Sequence, residues 1–176
     1  ALDPTQRGFG KAFALVPSGG GHLQALFHES RYTFNGKPVT EPEDPIYSTT
    51  LFTDQLIAFF EEDRGSDQPF FALFAPTAPH WPLHMPPGMK VSDEASYDGG
   101  YDKLRSLRLA GAALAGVLPE GVNSNPYPSK AIPWDSLDTE EKALQIKVMQ
   151  IYAAMIAHLD EEVGRLLNYL QAMGAL

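Results

Sequence analysis

Five histidines are the residues of this chain best suited to moving protons: His22, His28, His80, His84 and His158. An imidazole gains and loses its proton near neutral pH and can donate or accept through either ring nitrogen. His80 and His84 stand four apart, a spacing that on a helix would turn two imidazoles toward one metal. Pro82 lies between them and opposes a helix there, so the spacing loses that meaning and no metal ligand is assigned. His158 falls on the polar side of a helical pattern beside Asp160 and reads as a surface residue, while His22 and His28 flank a loop and stay undecided. With no cysteine, the chain has no thiolate nucleophile, disulfide or Cys-bound zinc. It also has no GxSxG, and the run Ser18-Gly19-Gly20-Gly21 lacks the Lys and the flanking pattern of a phosphate-binding loop, so it reads as a turn.

His80 is set apart by its surroundings. It follows the apolar run Phe70-Phe71-Ala72-Leu73-Phe74-Ala75, which reads as a strand buried on both faces, as in parallel sheets between helix layers. Ligands of open α/β sheets bind just beyond the carboxyl ends of such strands. Pro76, Pro79 and Pro82 fix φ on both sides of the histidine and restrict the loop. No carboxylate lies at a comparable strand end, and for an isolated histidine a loop-shaping hydrogen-bond role stays open beside a catalytic one.

The elements that must position this loop are mostly helical. Residues 1 to about 46 are rich in Gly and Pro and suggest loop with one short strand near Phe13 to Val16. Ser48 or Thr49 can cap a helix reaching Asp63, with Phe52, Leu56, Phe59 and Phe60 on one apolar face. Asp98 can cap a second helix reaching Gly116, with Tyr101, Leu104, Leu107, Gly111 and Leu114 in a stripe. Asp138-Thr139-Glu140-Glu141 has the form of a capping box before a last helix. Its apolar positions Leu144, Val148, Ile151, Met155, Leu159, Val163, Leu166 and Leu170 predict a core-facing helix of roughly 35 residues, far above the mean of about 11 to 12. One clear strand has two edges to satisfy, so its neighbours are expected outside these residues or in a partner.

The chain has 176 residues and a formal charge of -9, enough length for a core and the wrong sign for nonspecific nucleic-acid binding. The acidic clusters Glu41-Pro42-Glu43-Asp44, Glu61-Glu62-Asp63 and Asp138 to Glu141 read as solvated surface. No apolar stretch approaches the roughly 20 residues of a membrane-spanning helix. Ala1-Leu2-Asp3-Pro4 has no signal-peptide pattern, and the chain reads as an excerpt of something longer. Its compartment stays open.

Several of these motifs, in this order, resemble the arylsulfatases of the alkaline phosphatase superfamily. Pro69-Phe70-Phe71 through Thr77-Ala78-Pro79-His80-Trp81-Pro82-Leu83 is similar to their "PFF…TAPHWPL" segment. Arg7-Gly8-Phe9, Tyr47-Ser48-Thr49 with Phe52-Thr53-Asp54, Tyr97-Asp98-Gly99-Gly100-Tyr101, and Tyr152-Ala153-Ala154-Met155 with Leu159-Asp160 and Val163-Gly164-Arg165-Leu166 extend the likeness across nearly the whole chain. The resemblance implies an α/β fold, part of an alkaline-phosphatase-like sandwich with a central sheet flanked by helices. Residues 1–176 would be an internal segment of one catalytic domain, mostly helix and loop with one or two strands, that needs the rest of that domain.

The implied activity is hydrolysis of a small-molecule sulfate ester by a formylglycine nucleophile and a calcium ion, with Lys and His side chains on the sulfate oxygens. His80 corresponds to the family histidine that contacts sulfate beside the leaving oxygen, so the resemblance makes it both substrate-binding and catalytic. Trp81 and His84 are the further candidates for lining the substrate pocket; the family carries Gln at the position of His84. The chain has no C/S-x-P-x-R motif, and the implied formylglycine and Ca2+ ligands are therefore expected outside it. Two other readings stand beside this one: a noncatalytic fragment or part of a split protein, and a phosphatase or phosphonate hydrolase of the same superfamily.

Overall fold

The computed structural model describes residues 3–16, 21–23, 32–39, 47–66, 68–90, 97–119, 121–122 and 132–176. His28, Gly19, Gly20 and the acidic Glu41–Asp44 cluster lie outside the described residues. The chain divides into two compact units, one of residues 1–90 with 154–176, the other of residues 91–153. Among the described residues, no helix is long and apolar enough to cross a membrane.

The first unit holds a small antiparallel sheet of β1 (Phe13–Leu15), β2 (Tyr32–Phe34) and β3 (Lys37–Pro38), paired in that order. Asn35 and Gly36 join β2 to β3, both at positive φ (49° and 78°), the geometry that suits a two-residue hairpin turn. Asn35 also ties the turn to the strand start, its Oδ1 accepting from the Ala12 N–H at 2.8 Å. Sequence patterning foresaw only β1; the hairpin is additional.

Helix α1 (Ser48–Glu62) covers this sheet, with Tyr32 and Leu51 buried together and Phe13, Leu15, Val39 and Phe52 packed against them. Phe13 stacks on Tyr32 at 5.5 Å and meets Phe52 edge-on at 5.7 Å, arrangements favoured by the ring quadrupoles. The helix spans the expected residues, but its cap differs. Tyr47 occupies the cap position without a side-chain bond, and the Ser48 hydroxyl serves another partner, described below. Of the expected apolar face only Phe60 is fully buried; Ser48, Thr49, Leu51 and Thr53 bury in place of Phe52, Leu56 and Phe59. Thr53 tolerates this because its hydroxyl donates to the Thr49 carbonyl at 3.0 Å.

Residues 70–75 correct the expectation of a strand buried on both faces. They form no ladder, and Phe70, Phe71 and Leu73 are 54%, 80% and 65% exposed. The reason is physical: pairing needs a neighbouring strand, and among the described residues none lies against this segment. Its anchors are aromatic, Phe70 against Phe60 at 4.8 Å and Phe71 against Phe9 at 6.0 Å.

The second unit contains α2 (Gly100–Leu114) and a short turn of 3-10 helix at Trp134–Ser136. Asp98 does not cap α2; Gly99 sits at the cap without a side-chain bond. The Trp134 ring crosses so close to Gly100 that the helix begins on a glycine at φ +70°. The expected stripe is not a core face, since Leu107 and Leu114 are exposed. Tyr97, Leu104, Leu109, Val122, Trp134 and Met149 line an apolar groove of about 640 Å³ in this unit.

Helix α3 (Thr139–Ala172) is the 34-residue element the periodicity predicts. The capping box forms on both sides: the Glu141 N–H donates to Asp138 Oδ1 at 2.8 Å, and the Asp138 N–H donates to Glu141 Oε2 at 2.9 Å. Its residues 139–153 belong to the second unit and 154–172 to the first. Ala154, Met155, Glu162 and Leu166 are buried, whereas Leu144, assigned to the core by pattern, is exposed.

Candidate active site

The loop after residue 75 is held from below by a histidine that sequence reading left undecided. His22 is 1% exposed, and both of its ring nitrogens are engaged. Nε2 lies 2.9 Å from the His80 carbonyl, which can only accept, so this nitrogen carries the hydrogen. Nδ1 is then bare and accepts from the Ser48 hydroxyl at 2.8 Å. The backbone repeats the link, with the Ser48 N–H donating to the His22 carbonyl at 2.8 Å. Burial pushes the His22 pKa down; the His80 carbonyl opposes this, and the nearby His84 and His80 reinforce it, so the ring stays neutral.

His84 joins the same cluster. Its Nδ1 accepts from the His22 N–H at 3.1 Å, which places its hydrogen on Nε2 in the neutral ring, and the two rings meet edge-on at 5.9 Å. Tyr47 stacks on His22 at 5.7 Å and donates its hydroxyl to the His84 carbonyl at 3.1 Å. Burial drives the Tyr47 phenol well above its ordinary pKa, so it stays a donor. Ala78 and Pro86 are buried at either side of the loop, and a turn closes it through the His80 N–H and the Thr77 carbonyl at 2.9 Å. The Ala78–Pro79 and Trp81–Pro82 peptide bonds are cis.

Between these anchors the His80 side chain is exposed. Its Nδ1–H donates to the Trp81 carbonyl, and Nε2 has no bonding partner among the described residues. An imidazole held at one nitrogen and open at the other is arranged to meet an external oxygen. The Trp81 indole beside it is 70% exposed. The three predicted site residues therefore share one loop, with His80 and Trp81 outward and His84 turned toward His22. Among the described residues no group of three or more His, Cys, Asp or Glu side chains is placed to hold a metal ion.

His158 is a correction. It is not on the surface: its side chain is 13% exposed, its ring stands edge-on to Tyr47 at 5.0 Å, and its Nε2 donates to the Thr50 hydroxyl at 3.0 Å. Thr50 passes its own hydrogen to Glu162 at 2.8 Å; Arg165 then bridges Glu162 and Asp54 at 2.7 and 2.6 Å. Burial raises the Glu162 pKa, but the Thr50 and Arg165 hydrogen bonds outweigh it and hold the carboxyl below its ordinary value. No local pattern reveals this network, because Thr50 and Glu162 lie 112 residues apart.

Two of these shifts act together on stability. As pH falls, the unfolded chain protonates His22 near its ordinary 6.5 while the folded ring resists. Glu162 repeats this near its ordinary 4.5. In both cases the unfolded state binds more protons, so stability rises with pH and is lost as pH falls. Urea unfolding is expected to show a stability plateau above about pH 7 and a decline in two stages below it. A profile flat from about pH 6.5 to 4.5 contradicts the His22 assignment, and one flat below about pH 4.5 contradicts that of Glu162.

The family profile described as Sulfatase matches residues 9–176. An uncharacterized sulfatase of Schizosaccharomyces pombe is 36% identical over 185 residues, covering 98% of this chain and 33% of that protein. An arylsulfatase of Klebsiella aerogenes is 32% identical over 181 residues, covering 97% of this chain and 38% of that protein. The chain thus spans about a third of the length of these relatives. From the profile match and the two relatives, the chain belongs to the sulfatase family.

Proposed function

We propose that the whole protein carrying these residues hydrolyses sulfate esters, with His80 contacting the sulfate and giving a proton to the leaving oxygen. The observation that carries this is the state of the His80 ring: exposed, held at Nδ1 by the Trp81 carbonyl, and open at Nε2. In its protonated form the ring keeps the Nδ1–H bond and presents Nε2–H to the ester oxygen. As the S–O bond breaks, that hydrogen neutralises the alkoxide or phenoxide, and the neutral ring can then accept a proton from water. Trp81 supplies an apolar wall for the organic part of the ester. His84, bound through Nδ1, retains an Nε2–H that can serve as a further donor.

We infer that the formylglycine nucleophile and the calcium ligands implied by the family lie outside this chain. It holds no cysteine and no C/S-x-P-x-R sequence, and its described side chains form no metal cluster. We infer that the 176 residues on their own are inactive. The expected result is sulfate release from an aryl sulfate by the complete protein and none above buffer from the 176-residue chain. A complete protein that cleaves aryl phosphate and leaves aryl sulfate intact overturns the reading in favour of a phosphatase.

A further inference from the structure

We propose that His22 is a positioning residue for the reaction centre, setting where the His80 imidazole stands through a hydrogen bond to the His80 backbone. This rests on the reading that His80 acts at the sulfate. His22 lies 58 residues before His80 and is buried beneath its loop. It grips the loop twice. The ring Nε2–H holds the His80 carbonyl at 2.9 Å, and the main-chain N–H holds His84 Nδ1 at 3.1 Å.

The hydrogen-bond order runs one way through the cluster. Ser48 donates to His22 Nδ1, His22 Nε2–H donates to the His80 carbonyl, and His80 Nδ1–H donates to the Trp81 carbonyl. The His80 carbonyl, which can only accept, selects the tautomer that has its hydrogen at Nε2, and the Ser48 hydroxyl donates to the nitrogen left bare. In the other tautomer two acceptors, Nε2 and the carbonyl, would face each other at that distance. The Ser48 hydroxyl can serve here because Tyr47, not Ser48, occupies the cap of α1. The bond from His22 to His80 is to the backbone carbonyl, not to the ring, so its effect on the reaction passes through the loop.

A loop-held acid must sit within a fraction of an ångström of its productive position, and a displacement of about 1 Å can cost on the order of 100-fold in rate. In the complete protein, His22→Leu fills the volume and removes the donor. It is expected to lower kcat about 10- to 100-fold, with KM within about threefold. His22→Gln keeps an N–H that reaches the carbonyl and is expected to recover most of that loss. His80→Ala, measured alongside, separates the two levels of the argument. An impaired His80→Ala with an unimpaired His22→Leu overturns the positioning role alone; an unimpaired His80→Ala overturns the proposed function and this inference with it. Equal losses in His22→Leu and His22→Gln also overturn the positioning role. If His22→Leu does not fold, the imidazole nitrogen spectrum of the unsubstituted protein decides. A neutral His22 protonated at Nε2 is expected, and protonation at Nδ1 contradicts the proposal.

Discussion

In the complete protein, His80→Ala is expected to lower turnover of an aryl sulfate by about 10²- to 10⁴-fold, the range that a positioned general acid supplies. The same substitution is expected to change folding stability by no more than about 0.5 kcal/mol, because it trims an exposed side chain. The two readouts separate the catalytic account from the structural alternative. A loop-shaping histidine would lose stability and activity together, whereas the bonds that hold this loop come from His22, Tyr47 and buried Ala78 and Pro86. Among the described residues the His80 ring contributes only its bond to the adjacent Trp81 carbonyl. Paired kinetics and urea unfolding of the variant decide between them.

The largest expected effect on stability lies in the other unit. A Cβ on Gly100 would stand 2.1 Å from Cδ2 of Trp134, inside any permitted contact, at a backbone φ of +70°. Gly100→Ala therefore combines the left-handed penalty of about 1–2 kcal/mol with an overpacking cost of about 1–3 kcal/mol, for an expected loss of about 2–5 kcal/mol. Trp134 has little room to retreat, since Tyr101 meets its ring edge-on at 5.1 Å and Lys142 Nζ lies 5.9 Å from its centre. Gly111 in the same helix is the control. It has open space around its Cα, so Gly111→Ala is expected to stabilise α2 by about 0.5–1 kcal/mol. Opposite signs from two Gly→Ala changes in one helix would show that the Trp134 contact and the left-handed backbone, not helix propensity, govern Gly100.

The contrast between these positions explains what the sequence made legible. Features fixed by neighbours in the chain were readable: the Asp138–Glu141 capping box, the length of α3, and the span of α1. The β2–β3 hairpin is not foreseen although Asn35-Gly36 is a strong two-residue turn signal, because the Gly- and Pro-rich surroundings obscure it. Features made by distant contacts were not readable. His22 has no local pattern that joins it to Ser48 or His80, and His158 sits on the polar side of its helix by periodicity although Tyr47 and Thr50 enclose it. Residues 70–75 show the converse. Their composition is that of an inner strand, but a ladder is a property of two segments, and among the described residues no second one is present.

His80 stands out in the sequence by its prolines and its place after an apolar run, and the family resemblance implies a role for it. The structure adds the tautomer, with Nδ1–H spent on the Trp81 carbonyl and Nε2 left open. Ordinary turnover assays report that a residue matters, not that it protonates the leaving group. The direct test is the dependence of kcat/KM on leaving-group basicity for a series of aryl and alkyl sulfates, in the complete protein and in His80→Ala. The expected result is a loss that grows as the leaving alcohol becomes more basic, since only a basic leaving group needs the proton. A uniform loss across the series would contradict the role of His80 as the leaving-group acid.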